Sequence, residues 1–171
     1  MISEKEYSDF VERLWIYPPE IGIPPQAYCA MAIAGEAGEF VDATFKGQGI
    51  DKEAGDLTYY VVKLLNLEDR SLSDLAAVVI HGTPPRTLGT MMLKLQLMIQ
   101  ASALCEKVKK HLRDTPQEPL VLVNLIAPIW DTFTEILRAL NLSFSDILDL
   151  NVAKLSSRLE RGTIQGSGDD R

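Results

Sequence analysis

Residues 26–67 read QAYCAMAIAGEAGEFVDATFKGQGIDKEAGDLTYYVVKLLNL. The first part, about Gln26 to Phe45, is a long run of small and apolar residues without proline, as a buried helix requires, and Gly47 and Gly49 stop it. A second helix is expected to start near Asp51, a good N-cap, with Asp51 and Glu53 in its first turn. It carries Leu57, Val61, Leu64 and Leu65 at helical spacing as far as Leu67. The connection is short, so the two helices should be antiparallel neighbours.

Outward from this pair the same signals recur. Phe10, Val11 and Leu14 mark an amphipathic segment that Pro18, Pro19, Gly22, Pro24 and Pro25 bring to an end. A shorter helix is expected around Ser73 to Ile80, before the loop His81-Gly82-Thr83-Pro84-Pro85. Long helices follow at about Leu88 to Leu112 and Leu120 to Leu140. Pro116 and Pro119 separate them, and Pro128 is a candidate kink in the second. Ser143 to Leu159 reads as the last helix, and 162–171 as an irregular tail. Strand-like alternation is absent almost everywhere, so the expected class is all-α. At 171 residues the chain suits a single domain, with an acidic helix pair at about 26–67 and a second helical half at about 88–160.

An internal similarity bears on that division. Lys63-Leu64-Leu65-Asn66-Leu67 followed by Ser71-Leu72-Ser73-Asp74-Leu75 resembles Arg138-Ala139-Leu140-Asn141-Leu142 followed by Ser143-Phe144-Ser145-Asp146-Ile147. An offset of 75 sets Asp56 against Asp131 and Glu53 against Pro128. Either the second helix pair is a degenerate copy of the first, or Leu-rich helices restarting at a serine cap look alike by composition.

Within the apolar stretch stand Glu36, Glu39 and Asp42, with no lysine or arginine between Ala27 and Phe45. Glu36 and Glu39 are three apart, about 60° around a helix, and share a face. Glu53 and Asp56 repeat the spacing on the next helix. Four carboxylates facing one another across a helix pair repel and resist desolvation. A hard divalent cation relieves both, and all-oxygen ligands favour Mg²⁺, or Mn²⁺ in its place, over zinc. Neither His81 nor His111 has a metal-binding partner at helical spacing, and no Glu-x-x-His motif of di-iron bundles occurs. The alternative is an ordinary solvated acidic face, which two pairs on adjacent helices make the weaker reading. Gly35, Gly38 and Gly55 beside the acids cost helix propensity. They make sense where a neighbouring helix or a ligand comes close.

The ordered acids Ala34-Gly35-Glu36-Ala37-Gly38-Glu39 and Lys52-Glu53-Ala54-Gly55-Asp56-Leu57 resemble the E-x-x-E…E-x-x-D signature of MazG-like, all-α nucleoside triphosphate pyrophosphohydrolases. Dimeric dUTPases and dCTP pyrophosphatases belong to the same superfamily. The segment Asn151-Val152-Ala153-Lys154-Leu155 with Arg158 and the stretch Arg161 to Arg171 is similar to the C-terminal part of phage and bacterial members. The resemblance covers about 28–67 and 148–171; the middle of the chain is longer than the minimal family domain and matches poorly. What it implies is Mg²⁺-dependent hydrolysis of a (d)NTP to the monophosphate and pyrophosphate, a house-cleaning activity. Glu36, Glu39, Glu53 and Asp56 would be the metal-holding and catalytic acids, with Glu39 a candidate general base. Lys46, Asn151, Lys154, Arg158 and Arg171 would contact the substrate. Homodimers, or tetramers, are the implied assembly. A rival reading is a regulatory or interaction module that keeps this fold after catalysis has decayed.

Composition narrows the partners. The net charge is −7, and no basic patch of the kind nucleic acid needs is present. No apolar run approaches the roughly 20 residues of a membrane span. The charged start MISEKEYSDF lacks a signal-peptide core, so a cytoplasmic protein is expected. Cys29 and Cys105 read as two core thiols. Trp15, Trp130, Tyr59, Tyr60 and Phe133 could stack on a base, but aromatics at helical spacing are usually core, so no base pocket is assigned to them. The run Met91 to Leu104 reads as bundle core or subunit interface.

Overall fold

The computed structural model describes residues 1–17, 20, 22–75 and 89–164. The protein is all-α: no strand occurs among the described residues. Among the described residues six long helices follow one another, α1 Glu4–Arg13, α2 Pro25–Lys46, α3 Ile50–Leu67, α4 Thr90–Asp114, α5 Val123–Ala139 and α6 Phe144–Glu160.

Local chemistry sets most of their ends. Ser3 and Glu6 close a capping box on α1, and Pro25 occupies the first turn of α2, where its missing N–H is no loss. Gly47 and Gly49 both adopt left-handed φ, +70° and +71°, and turn the chain back in three residues. The helix after that turn starts earlier than its sequence suggests. Gly49 is the N-cap and Asp51 lies inside the first turn, without a side-chain cap hydrogen bond.

The hairpin α2–α3 is the centre of the molecule. Helix α4 packs on α2 and pairs with α5, while α1 and α6 cover α3. Fully buried Phe40 of α2 meets Phe133 of α5 edge-on at 5.1 Å, joining the two hairpins. Trp130 and Phe133 are core side chains, as their spacing suggests. Pro128 lies inside α5 and the helix continues through it. Asn124 and Pro128, the pair whose helical hydrogen bond the proline ring removes, both lie on the exposed side of the helix. Cys29 and Cys105 are free thiols. No helix among the described residues is long and apolar enough to cross a membrane.

Three ties bind the bundle at its periphery. Lys63 of α3 is 1% exposed. Its ammonium reaches Glu12 of α1 at 2.7 Å and lies 4.9 Å from the ring centre of Trp15. Glu68 spans the two hairpins: its oxygens accept from the backbone N–H groups of Leu122 (2.5 Å) and Val123 (3.0 Å) and so cap α5, which has no cap of its own. Asp149 of α6 accepts from the backbone N–H of Ile2 at 2.8 Å.

The ends of α3 and α5 are built alike, at a spacing that corrects the one counted along the sequence. Among the described residues, Asp69 and Asn141 are the two positive-φ residues other than glycine (+53° and +55°). The N–H groups of Arg70 and Leu142 return to Leu65 and Leu137 at 2.9 and 3.0 Å. Ser71 then bonds Asp74, and Ser143 accepts from Asp146. These matches all fall at an offset of 72, not 75. Counted so, Asp56 corresponds to Pro128 and Glu53 to Leu125. The second hairpin therefore has neither acid at these places.

Candidate metal centre

Three of the four acids converge. Glu36 from α2 and Glu53 and Asp56 from α3 each bring a carboxylate oxygen to within 4.8 Å of the other two. The tight Gly47–Gly49 turn makes this possible by holding the helices side by side. Two oxygens on opposite sides of a Mg²⁺ ion are separated by about 4.2 Å, twice the usual bond length. The three oxygens can thus close on one ion through small side-chain rotations. The donor set is wholly oxygen and fits a hard divalent cation.

Glu36 shows what this proximity costs. Its pKa is pushed up to about 8, first by burial, then by the charges of Asp56, Glu39 and Glu53, with Lys154 acting in the opposite direction. Glu39 stands apart. It is exposed, lies one helical turn beyond Glu36, and is outside the converging group, although its charge is felt there.

Helix α6 supplies the other side of the site. Asn151 and Lys154 lie on the face turned towards α3. Lys154 Nζ meets Asp56 Oδ2 at 2.5 Å, and Asn151 Nδ2 donates to Asp56 Oδ1 at 3.2 Å. The carboxylates therefore do have a basic partner, contributed from a distant part of the chain. Asn151 is itself held, because the buried Tyr7 hydroxyl donates to its Oδ1 at 2.8 Å. The glycines divide by position. Only Gly55 allows a close approach of another helix, that of Asn151; Gly38 meets nothing nearer than Met98 at 3.8 Å, and Gly35 faces open space.

The remaining candidates are dispersed. Arg158 shares the inner face of α6 with Asn151 and Lys154 but is 6% exposed. Lys46 is on the surface, paired with Asp42 one turn back on α2. Arg171 lies outside the described residues, as do most of the expected helix 73–80, the loop 81–85 and most of the tail.

Tyr7 escaped the sequence reading. A tyrosine among Phe10 and Val11 on an amphipathic helix looks like core, and its partner is 144 residues away. A second group also becomes visible only in three dimensions. Trp15 stacks on Tyr17 at 5.9 Å, Tyr28 meets both edge-on, and Tyr60 meets Tyr28 at 6.5 Å. Burial raises the Tyr60 pKa, and the Glu36 charge reaches Tyr60 from the acidic site. Tyr60 stands one helical turn from Asp56 on α3, which sets that edge of the aromatic cluster beside the carboxylates. Comparison of the chain with protein-family models, curated protein sequences and solved structures gave no match.

Proposed function

We propose that the protein is a Mg²⁺-dependent nucleoside triphosphate pyrophosphohydrolase of the MazG-like kind, converting a (d)NTP and water to the monophosphate and pyrophosphate. The observation that carries this reading is the convergence of Glu36, Glu53 and Asp56 within 4.8 Å. Three half-buried acids on one spot are unfavourable in a metal-free protein and favourable around a cation.

A bound divalent ion would supply charge neutralisation for the phosphates and acidify an attacking water. Glu36, Glu53 and Asp56 would hold it. Lys154, at the rim and 16% exposed in its side chain, would add positive charge for a polyanionic substrate, and Asn151 would orient Asp56. Glu39 is exposed beside the acids, within reach of solvent, and is the candidate to accept a proton from water. The partly exposed ring cluster Trp15, Tyr17, Tyr28 and Tyr60 offers aromatic faces and edges near the acidic site against which a nucleobase would pack.

A second copy of the chain completes the proposal. On α4, Met91, Leu95 and Ile99 are exposed at 60%, 53% and 60% and follow one another at single-turn spacing. Their order is symmetric about Leu95. An antiparallel partner helix across a two-fold axis would set Leu95 on Leu95 and Met91 on Ile99.

Pyrophosphate release from a panel of dNTPs and NTPs, with Mg²⁺ and with Mn²⁺, tests the function. Turnover of at least one nucleotide, abolished in Glu36→Ala and Asp56→Ala proteins that remain folded, is the expected result. No turnover together with no metal binding would overturn it.

A further inference from the structure

The acidic site is assembled from α2, α3 and α6, yet its hydrogen bonds continue to a residue on α1. Tyr7 is fully buried. A buried phenol hydroxyl requires a partner, and here it donates to Asn151 Oδ1 at 2.8 Å. With its oxygen engaged, the amide must direct its NH₂ elsewhere. That group faces Asp56 Oδ1 at 3.2 Å. The opposite amide orientation would set its oxygen against the carboxylate, two acceptors without a proton between them. Gly55 lets Asn151 sit hard against α3, since a β-carbon there would come within 2.9 Å of the Asn151 Cβ. Lys154 takes the other oxygen of Asp56. Both oxygens of Asp56 are thereby gripped by α6, and the amide of α6 is gripped by α1.

We propose that Tyr7 is a positioning residue: acting through Asn151, it fixes the Asp56 carboxylate in the orientation in which it converges with Glu36 and Glu53. The proposal rests on the metal-site reading above. Tyr7 is fully buried, and its hydroxyl bonds Asn151 and not an acid. Its role is to remove one rotational freedom from the ligand set, as residues behind metal ligands do.

The test uses the full chain, with Mn²⁺ alone as the probe, and the Tyr7→Phe variant, which deletes one oxygen and keeps the ring. Free Mn²⁺ is read by electron paramagnetic resonance. The variant should keep its helix content and bind Mn²⁺ about tenfold more weakly, the lower end of the usual effect of an outer partner. Asn151→Leu should lose as much, and Tyr7→Phe added to it should lose nothing further. Wild-type affinity in Tyr7→Phe, or losses that add in the double variant, would overturn the relay. A second readout does not depend on metal. The Asn151 side-chain amide protons should exchange slowly with solvent in the wild-type protein and faster in Tyr7→Phe. Fast exchange in the wild type overturns the relay even if the variant does not fold. Wild-type protein that binds no Mn²⁺ yet protects these protons defeats the metal reading while leaving the Tyr7–Asn151–Asp56 link standing.

Discussion

A β-carbon on Gly55 would stand 2.7 Å from Nδ2 of Asn151, so α3 and α6 meet at this point on bare backbone. Gly55→Ala gains about 1 kcal/mol of helix propensity. It must also push α6 outward, and overpacking of this kind costs about 1–3 kcal/mol. Net destabilisation is expected, together with weaker Mn²⁺ binding as Asn151 and Lys154 move from Asp56. Gly35→Ala is the contrasting case. Nothing lies within 4 Å of its β-carbon, so it should stabilise by up to about 1 kcal/mol. Urea unfolding of both variants checks the pair, and a shared sign would refute the distinction.

Glu36 gives the metal-free protein a particular pH dependence. Its folded pKa of about 8 stands above the ordinary glutamate value of 4.5, so the folded state holds this proton more tightly. The resulting stabilisation is complete below pH 4.5, declines as pH rises, and is gone above about 8. Glu12 acts in the opposite window: the hydrogen bond from Lys63 lowers its pKa, and its contribution is lost in acid. With chelator present, the melting temperature should fall from about pH 5 to 8, and Glu36→Gln should flatten that slope. A wild-type melting temperature that rises over this interval would contradict the assignment. Saturating Mg²⁺ should also remove the decline, because the cation favours the ionised carboxyl.

Glu68 is the cap that α5 lacks. Glu68→Ala strips the acceptor from the N–H groups of Leu122 and Val123 and should cost about 1 kcal/mol. Glu68→Gln keeps an acceptor and gives up the charge that favours a helix N-terminus, so its loss should be smaller. Thermal unfolding of the three proteins orders them.

Thr132 should be improved by an apolar replacement. It is 1% exposed, and its hydroxyl has no hydrogen-bond partner among the described residues. Thr132→Val exchanges the hydroxyl for a methyl of similar size and should stabilise by about 1 kcal/mol. A loss of stability in chemical denaturation would mean that the hydroxyl is satisfied after all.

The sequence made the α2–α3 hairpin legible because its information is local: an apolar run, two turn glycines and acids at i, i+3. It placed the start of α3 late, since Asp51 looks like a cap only until Gly49 is known to be left-handed. It treated Glu36 and Glu39 as equals. Spacing within one helix does not say which of two neighbours the partner helix covers, and only Glu36 turns to Glu53 and Asp56. The family resemblance makes Lys154 a substrate contact, but nothing in the sequence announces its bond to Asp56. Such a pairing depends on how α6 is rotated against α3, a tertiary fact with no signature at a separation of 98 residues. The two serine caps, Ser71 and Ser143, stand 72 apart, whereas the Asn-Leu pairs at 66 and 141 stand 75 apart and are not equivalent in the fold.

The three converging carboxylates all lie between positions 36 and 56, on one hairpin joined by three residues. Tyr7, Asn151 and Lys154 come from the opposite ends of the chain. Closing the acidic cluster therefore requires only short-range chain closure, whereas restraining it requires the termini to come home. A nascent chain emerging from the ribosome would present its acids together well before α6 exists. The last helix is the finishing clasp on that hairpin.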